Sequence, residues 1–335
     1  MRISRLGPLA ALLLALGSSA AFARRPPEFS RDSVGTTGSE FLTMDVGARG
    51  IAMGGAYSAL TDDSNSLYWN PAGLSRIPRM SASFTYSHYL ADISYQSGSV
   101  ARRFTDYGVL GVGWRYMDIG ELDRVDISGV KKGIFHPRHY VGEVGWGQAV
   151  LDQSDSEMDL TVGGTIRWIH SDLLLHADGF GGDLGMQSRF YKGSTIYDFG
   201  AVLQNLGRGQ NFKSERDTLP FRMKVGAAVY PVKNLALSVE GFFPIYSYPH
   251  AGVGVEYGVE LQKGIRVALR SGFNSATIES LGALSTMNMG LGLKVSDLSF
   301  DYGFSPMGVL GTNVVHRLTF SYNLPSKSSK RYRER

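Results

Sequence analysis

From about Met80 to the end of the chain, hydrophobic and polar residues alternate with a period of two. The clearest example is AGVGVEYGVELQ at positions 251–262, where apolar residues stand at every odd position. The even positions carry glycine, glutamate and glutamine. Strict alternation over this length predicts a β-strand with one apolar face and one polar or small face.

The same pattern recurs along the chain and predicts an all-β fold of about fourteen antiparallel strands. Many of the segments approach the 9–11 residues that a tilted transmembrane strand needs. The predicted spans are 79–89, 92–102, 106–117, 139–150, 158–170, 181–191, 195–206, 220–231, 234–245, 249–261, 264–272, 283–295, 297–305 and 314–323.

Alternation alone fits two architectures, a soluble β-sandwich and a transmembrane β-barrel. The lengths of the connections favour the barrel. Tight turns follow most even-numbered strands, as at 192–194, 232–234, 262–264 and 296–297, whereas longer loops follow many odd-numbered ones, at 118–138, 207–219, 273–282 and 306–313. The turn near Ala91 and the longer connection 151–157 are exceptions. Short turns on one rim and long loops on the other are typical of outer-membrane barrels, in which apolar residues face lipid and polar residues face the lumen.

The first 23 residues have the features of a secretory signal peptide. Arg2 and Arg5 precede the apolar run LAALLLAL (9–16), and Ala21-Phe22-Ala23 forms an A-x-A cleavage site. We therefore divide the chain into a signal peptide (1–23), an N-terminal linker (24–39), a hatch or plug segment (40–78), an outer-membrane β-barrel (79–324) and a basic periplasmic tail (325–335).

Composition narrows the interpretation. The chain has 34 basic and 30 acidic residues, but the leader and the tail KSSKRYRER hold seven of the basic residues and Glu334. The remainder has 27 basic and 29 acidic residues, so it lacks the positive surface of a nucleic-acid-binding protein. With no cysteine, neither disulfides nor thiolate metal sites are available. Glycine is abundant, at 42 of 335 residues, which suits an uncrowded inner barrel wall.

The stretch Glu40 to Pro78 does not alternate. It contains helix-compatible residues from Ala48 to Leu60 and the turn former Asn70-Pro71. Because barrels of this size are often plugged by their own chain, we predict a hatch folded into or under the barrel mouth. The alternative is a periplasmic cap that stays outside the lumen. The sequence DDSNS (62–66) lacks the glycine and glutamate of an EF-hand loop and is predicted to be a solvated turn.

This segment, FLTMDVGARGIAMGGAYSALTDDSNSLYWNPAGLS, resembles the N-terminal region of the PorV/PorQ family, which is related to the FadL-type barrels. The resemblance continues in ADGFGGDLGM, GAVLQNLG, LPFRMKVGAAVY and LSFDYGFSPMGVLGTNVVHRLTFSYNL, although the basic tail after the last strand departs from many outer-membrane proteins. It implies a fourteen-stranded barrel with an N-terminal hatch. The residues assigned to the hatch motif are Gly47, Arg49, Gly54, Gly55, Asp62, Asp63, Trp69, Asn70, Pro71 and Gly73.

The resemblance also implies a function, in two forms. A PorV-like protein assists type IX-like secretion by binding or shuttling exported cargo, with secreted proteins or secretion-machinery components as partners. A FadL-like protein instead transports hydrophobic small molecules through a lumen gated by the hatch. Either role implies an outer-membrane location in contact with lipid, and an even strand count predicts that both termini are periplasmic.

Nothing in the sequence indicates catalysis or a cofactor. It contains no phosphate-binding loop, zinc-protease motif or nucleophile elbow, and His136 and His139 lack a third nearby ligand. We therefore expect no enzyme activity, no metal and no cofactor. The strands also place six charged residues on the predicted lumen face, where acids are expected to pair with Arg222 or Lys224: Arg222, Lys224, Glu256, Glu260, Lys294 and Asp301.

Overall fold

The structure is a computed structural model of the chain, and it describes residues 37–89, 93–104, 107–151, 158–212, 215–278, 286–306 and 314–325. The predicted signal peptide lies outside the described residues, as do most of the predicted linker and nearly all of the predicted basic tail.

Fourteen antiparallel strands form one closed barrel, which confirms the predicted fold class. Each strand pairs with the next along the wall, and the barrel closes where the first barrel strand pairs with the last, with Phe84 opposite Phe320. The barrel strands are β1 (Met80–His88), β2 (Ser94–Phe104), β3 (Gly108–Asp118), β6 (Arg138–Leu151), β7 (Met158–Asp172), β8 (His176–Lys192), β9 (Thr195–Arg208), β12 (Arg222–Val232), β13 (Leu235–Pro244), β14 (His250–Gln262), β15 (Ile265–Asn274), β16 (Met287–Val295), β17 (Leu298–Pro306) and β18 (Val314–Leu324).

Apolar side chains cover the outside of the barrel. In β18, Leu318 and Phe320 are 47% and 49% exposed, whereas Thr319 between them is 3% exposed. In β14, Val253 and Val255 point outward and Glu256 is buried. A soluble sandwich would bury the apolar face, so the observed inversion rules out that alternative and suits a lipid environment.

The two rims of the barrel differ, as the sequence predicts. At one end, strands are joined by short turns such as Lys233–Asn234, Lys263–Gly264 and Ser296–Asp297. We call this the short-turn rim, and the opposite end the long-loop rim. Met80 and Leu324 both lie at the short-turn rim, because they begin and end an even number of strands.

One connection at the long-loop rim is shorter than the predicted strand spans imply. The sequence predicts strands at 158–170 and 181–191, which leaves ten residues between them. Instead, β7 continues to Asp172, β8 begins at His176, and the turn is Leu173–Leu175. The glycines of ADGFGGD obscured the alternation, yet this segment pairs with β7 in an unbroken register.

Two small hairpins that the sequence analysis did not predict lie in the long connections. Strands β4 (Leu122–Val125) and β5 (Lys131–Phe135) pair within the β3–β6 connection, and β10 (Asn211–Phe212) pairs with β11 (Glu215–Arg216) between β9 and β12. Four apolar side chains of the first hairpin, and Ile127 at its tip, are exposed. We call residues 122–135 the outer hairpin.

Residues 37–78, which we call the plug segment and which include the predicted hatch at 40–78, form only short helical turns. These are a 3₁₀ turn at Glu40–Thr43, helix α1 (Ala48–Ala52), helix α2 (Ser66–Trp69) and a 3₁₀ turn at Pro71–Arg76. The helix-compatible stretch Ala48 to Leu60 therefore becomes one helical turn followed by tight turns, in which Gly54 and Gly55 have positive φ. Among the described residues, no helix is long and apolar enough to span a membrane.

Candidate functional site: the plug segment and the inner wall

The plug segment packs around a core of its own aromatic side chains. The Trp69 side chain is completely buried, donates from Nε1 to the Val46 carbonyl at 2.8 Å and stacks edge-on against Tyr57 and Tyr68. Gly50 lies directly under the Trp69 ring, where a Cβ would overlap the ring atoms. The aromatic core thus gives this short segment a fixed shape despite its lack of long helices.

Glycines of the barrel wall allow the plug segment to lie against the backbone of the strands. A Cβ on Gly200 of β9 would stand 2.7 Å from the Ser58 carbonyl, and one on Gly254 of β14 would stand 2.6 Å from the Met53 carbonyl. On the other side of the barrel, Gly147 of β6 faces Leu74 in the same way. Because the segment contacts inward-facing residues around the ring, it lies inside the barrel. Its role as a hatch stays a prediction.

The closest approach of the two backbones occurs at Gly54. Its φ of +67° is in the left-handed region, and a Cβ on Gly272 of β15 would overlap the Gly54 nitrogen. The Asn274 amide donates to the Gly54 carbonyl at 3.0 Å. The neighbouring Gly55, with φ of +79°, lies beside the ring of Phe242. These predicted motif glycines are therefore contact points with the wall.

The Asn70-Pro71 turn anchors the other half of the plug segment. The Asn70 side chain accepts from the Ala72 N–H at 3.1 Å and donates to two carbonyls, those of Ser58 at 2.9 Å and of Met186 in β8 at 3.0 Å. Pro71 is the first residue of the 3₁₀ turn, a position whose N–H would have no partner within the turn, so proline loses no hydrogen bond there. Gly73 packs so closely on the Thr61 carbonyl that no side chain fits there.

An ion-pair chain connects the plug segment to three wall strands. Arg49 of α1 binds Glu256 of β14 through two hydrogen bonds, at 2.8 and 3.0 Å, and also lies 3.3 Å from Asp62. Arg270 of β15 completes the chain, with Nε 2.6 Å from Glu256 and Nη1 2.6 Å from Asp301 of β17. Bidentate Arg–carboxylate pairs of this kind are strong and directional.

A second buried group surrounds Tyr68 and Tyr57. Arg222 of β12 donates to the Tyr68 hydroxyl at 2.9 Å, and the Lys224 ammonium lies 4.8 Å from the centre of the Trp69 ring. The Glu240 carboxylate of β13 accepts the N–H groups of Tyr57 and Ser58 at 2.9 and 2.8 Å and lies 3.7 Å from Lys224.

The predicted pairing of the lumen charges needs correction. Glu256 pairs with Arg49 and Arg270, and Asp301 pairs with Arg270. Neither acid pairs with Arg222 or Lys224, because intervening strands separate β12 from β14 and β17. Lys224 pairs instead with Glu240, on the adjacent strand. The Glu256–Arg270 pair could have been predicted, since the tight turn at 262–264 places the two residues opposite each other.

Two of the six predicted lumen charges lie away from the plug segment. Glu260 and Lys294 share the inward parity of their strands, but both are near the short-turn rim, where Glu260 is exposed and Lys294 half-buried. Among the described residues, neither side chain forms an ion pair with the interior charges.

A further group of charged side chains, which the sequence analysis did not predict, lies on the inner face of the opposite side of the barrel. Arg115 of β3 lies 3.3 Å from Glu143 of β6, and Arg167 of β7 contacts both Glu143 and Asp183 of β8. Arg115 also donates to the Leu42 carbonyl of the plug segment. All four side chains are buried. These charged residues occupy inward-facing positions in the alternation of their strands, and this pattern was the signal in the sequence from which they could have been predicted.

The remaining predicted motif residues lie in the turns of the plug segment. Gly47, with φ of +78°, precedes α1 and faces the Asn65 side chain. Asp63 accepts from the Asn65 N–H at 2.9 Å. The turn DDSNS is not solvated throughout as predicted, since Ser64, Asn65 and Ser66 are buried, and Ser81 of β1 accepts from the Ser64 N–H.

The two histidines that the sequence analysis considered as metal ligands contact different residues. His136 lies 3.1 Å from Glu121, whereas His139 contacts the Ser171 hydroxyl and stacks on Phe41. Within the described residues, no three metal-ligating side chains come together.

Two small cavities lie between the plug segment and the wall. One is lined by Leu67, Tyr68 and Arg115 among others, and the second by Arg49, Trp69 and Asp301 among others. Each has about 10 Å³ of free volume, which is room for about one water molecule. Neither of these two cavities can hold an organic solute.

Comparison with solved structures identifies the fold. The toluene transporter TodX of Pseudomonas putida superposes with a TM-score of 0.56 at 12% sequence identity, over 83% of this chain and 98% of TodX. A TodX deltaS2S3 mutant, described as a monoaromatic hydrocarbon channel, gives a TM-score of 0.54 at 11% identity, over 84% and 99% of the two chains. A FadL homologue of Pseudomonas aeruginosa gives 0.47 at 9% identity, over 80% and 96%.

This chain is thus a closed antiparallel barrel of the same fold as the TodX channel. No protein-family model matches the sequence, and no curated protein matches it significantly. At this level of identity the similarity concerns the fold, and any transfer of function belongs to a proposal.

Proposed function

We propose that this protein is an outer-membrane barrel that passes hydrophobic small molecules, with the plug segment as its gate. The fold shared with TodX over nearly the whole length of that channel carries the proposal. TodX is described as a toluene transporter and its mutant as a monoaromatic hydrocarbon channel, and on this basis we propose a transport role and no enzyme activity. The apolar outer face and the unequal rims support a membrane orientation with the long-loop rim at the cell surface.

The polar attachment of the plug segment supports gating. The contacts that hold it to β13, β14 and β15 are hydrogen bonds and ion pairs of Glu240, Glu256 and Asn274. Such contacts can exchange for water or for other polar partners when the segment moves. A wholly apolar interface would not offer this exchange.

The test is uptake of hydrophobic solutes by the full-length protein. We would reconstitute it in liposomes and measure entry of a monoaromatic hydrocarbon and of a long-chain fatty acid, and compare cells with and without the gene. Uptake above that of protein-free liposomes, with a corresponding loss in the deletion strain, is expected. Equal uptake with and without the protein would overturn the transporter proposal.

A second candidate, a PorV-like role in type IX-like secretion, is favoured by the outer hairpin. Its exposed apolar side chains include Val125, Ile127 and Ile134, and no heavy atom lies within 4 Å of where side chains on Gly129 and Gly133 would begin. Exposed apolar groups that none of the described residues covers are typical of interaction sites. In this role, the hairpin would contact exported cargo or secretion-machinery components.

Affinity purification from native membranes would test this second role. The full-length protein should retain secreted cargo or secretion components, and the double variant Val125→Ser/Ile127→Ser should lose them while it still folds as a barrel. Failure to recover such proteins with the unmodified chain would argue against the secretion role.

A further inference from the structure

The path of the plug segment through the barrel determines where its N-terminal end lies. The Gly38 N–H donates to the Thr218 carbonyl at 3.1 Å, and the Ser39 hydroxyl donates to the Gln210 side chain at 2.9 Å. Gln210 and Thr218 flank the hairpin of β10 and β11, between the end of β9 and the start of β12. Both strand ends belong to the long-loop rim, so the described chain begins at that rim.

The next residues confirm the direction of the path. Phe41 stacks on His139 with ring centres 4.2 Å apart, and Leu42 packs against Val141 and Ile169. These three partners lie within four residues of the long-loop ends of β6 and β7. Farther along, Ala48 donates to Thr319, in the middle of β18. The segment therefore descends from the long-loop rim toward the centre of the lumen.

The segment leaves the lumen at the other rim. Arg76 lies 3.4 Å from Asp159 and 3.5 Å from Asp198, which are near the short-turn ends of β7 and β9. Arg103 of β2 donates to the Ile77 carbonyl at 2.9 Å. Three residues later β1 begins at the short-turn rim. Residues 38 to 77 therefore cross the barrel from one rim to the other.

We propose that the plug segment is threaded through the barrel, so that its N-terminal end at Thr37 is accessible from the cell surface while the C-terminal end of β18 faces the periplasm. The assignment of the two faces rests on the membrane orientation in the proposed function. The threading itself rests on the contacts of the described residues. It departs from the prediction that both termini are periplasmic, which counted the barrel strands and not the additional crossing by the plug segment.

Threading has a mechanical consequence for gating. At the short-turn rim the plug segment continues covalently into β1, whereas at the long-loop rim it is held by the pairing of Gly38 with Thr218, the Ser39–Gln210 hydrogen bond and the Phe41–His139 stack. The end that can be released is therefore the one at the cell surface. An external ligand or partner can act on it directly.

The absence of cysteine allows a direct test by single-cysteine labelling. The variants are Thr37→Cys at the start of the described chain, Ile127→Cys at the tip of the outer hairpin and Lys263→Cys in the β14–β15 turn. Ile127 and Lys263 are exposed on opposite rims and serve as the matched controls. A membrane-impermeant maleimide is applied to intact cells, and labelling is normalised to that after lysis. Heat-dependent migration on gels verifies that each variant folds.

If the proposal is right, Thr37→Cys is labelled in intact cells to the same fraction as Ile127→Cys, and Lys263→Cys is labelled only after lysis. Labelling of Ile127→Cys from outside, with Thr37→Cys protected until lysis, would overturn the threading and leave the proposed function intact. Labelling of Lys263→Cys but not Ile127→Cys in intact cells, or of none of the three, would instead overturn the proposed membrane orientation, and the surface exposure of Thr37 with it.

Discussion

Arg49 and Glu256, which are 207 residues apart in the sequence, are joined by two parallel hydrogen bonds inside the barrel. Glu256 also binds Arg270 of the adjacent strand, so one wall carboxylate receives two guanidinium groups. Through Glu256, helix α1 of the plug segment is therefore attached to strands β14 and β15 of the wall. This relationship also identifies the substitutions that should loosen the plug segment without altering the outer face of the barrel.

Glu256→Gln should destabilise the barrel, because it removes the carboxylate that Arg49 and Arg270 share and leaves each guanidinium with a single acidic partner, Asp62 or Asp301. Loss of one partner from a fully buried ion pair costs about 3–5 kcal/mol, and this partly compensated loss should be smaller, about 1–3 kcal/mol. Urea unfolding in detergent micelles would measure this loss, and the same variant should admit more solute in the liposome assay. The matched control is Glu260→Gln, four residues along the same strand and exposed, which should change stability by less than about 0.5 kcal/mol. Equal effects of the two substitutions would contradict the role of the Arg49–Glu256 pair.

Gly272→Ala should displace the plug segment, since a Cβ at this position would overlap the backbone of Gly54. Overpacking of this kind costs about 1–3 kcal/mol. Gly142→Ala is a suitable control, because the nearest atom to its Cβ would be Trp168 Cε3 at 3.8 Å, an ordinary contact. We expect increased proteolysis of the plug segment and a lower unfolding midpoint for Gly272→Ala alone. If both variants resist protease like the unmodified protein, the tight contact at Gly54 is not required.

The tryptophans should respond differently to quenchers placed in the lipid. Trp114 and Trp168 face outward and are each 43% exposed, whereas Trp69 is completely buried within the plug segment. Brominated lipids should therefore quench Trp114, Trp168 and the half-buried Trp146, which shares the outward parity of Val144 in β6, and leave a residual emission from Trp69. Trp69→Phe should remove that residual emission, and Trp114→Phe should reduce the quenched part. Quenching of Trp69 to the same extent as the outer tryptophans would contradict the inverted barrel.

Lys224 and Glu240 should behave as a coupled pair. Lys224→Met leaves the fully buried Glu240 carboxylate without a cation and should cost about 3–5 kcal/mol. Glu240→Gln retains an oxygen that can accept the N–H groups of Tyr57 and Ser58. The double variant Lys224→Met/Glu240→Gln should therefore lose less stability than the sum of the two single losses. Additive losses in a double-mutant cycle would show that the two side chains act independently.

The tip of the outer hairpin should lose order at low pH. The Asp126 carboxylate accepts from the Val130 and Ser128 N–H groups and pairs with Lys132, and these contacts lower the pKa of Asp126. The pKa of Asp126 is lower in the ordered turn than in the disordered one. The contacts therefore stabilise the turn at pH values above the ordinary aspartate pKa of about 4. Their contribution is lost as the pH falls through the lowered pKa.

Backbone amide exchange at Ser128 and Val130, corrected for the intrinsic pH dependence, would measure this change. Protection should decrease as the pH falls below about 4, and Asp126→Asn should make protection weaker and independent of pH over the same range. Protection that is unchanged in acid for the unmodified chain would show that the carboxylate does not stabilise the turn.

The chain-wide alternation was sufficient to predict the barrel because each strand carries the information locally. Apolar residues at every second position fix which face is outside, and the tight turns at 232–234 and 262–264 fix the register of their neighbours. The same local rule failed at ADGFGGD, where glycines replace the outward and inward side chains that mark a strand. It also gave Glu260 and Lys294 the inward parity of their strands but could not give their distance from the plug segment.

The sequence by itself determined the closed wall, the inverted faces and the difference between the rims, because these depend on period and loop length along the chain. Only the tertiary structure decided the partners of Arg49, the burial of DDSNS and the direction in which the plug segment crosses the lumen. The Arg49–Glu256 pair and the start of the crossing at Gly38 depend on contacts between residues more than a hundred positions apart, and the burial of Ser64 and Asn65 depends on how the segment packs against β1. Neither spacing nor composition records which inward-facing residues a short, non-periodic segment will meet.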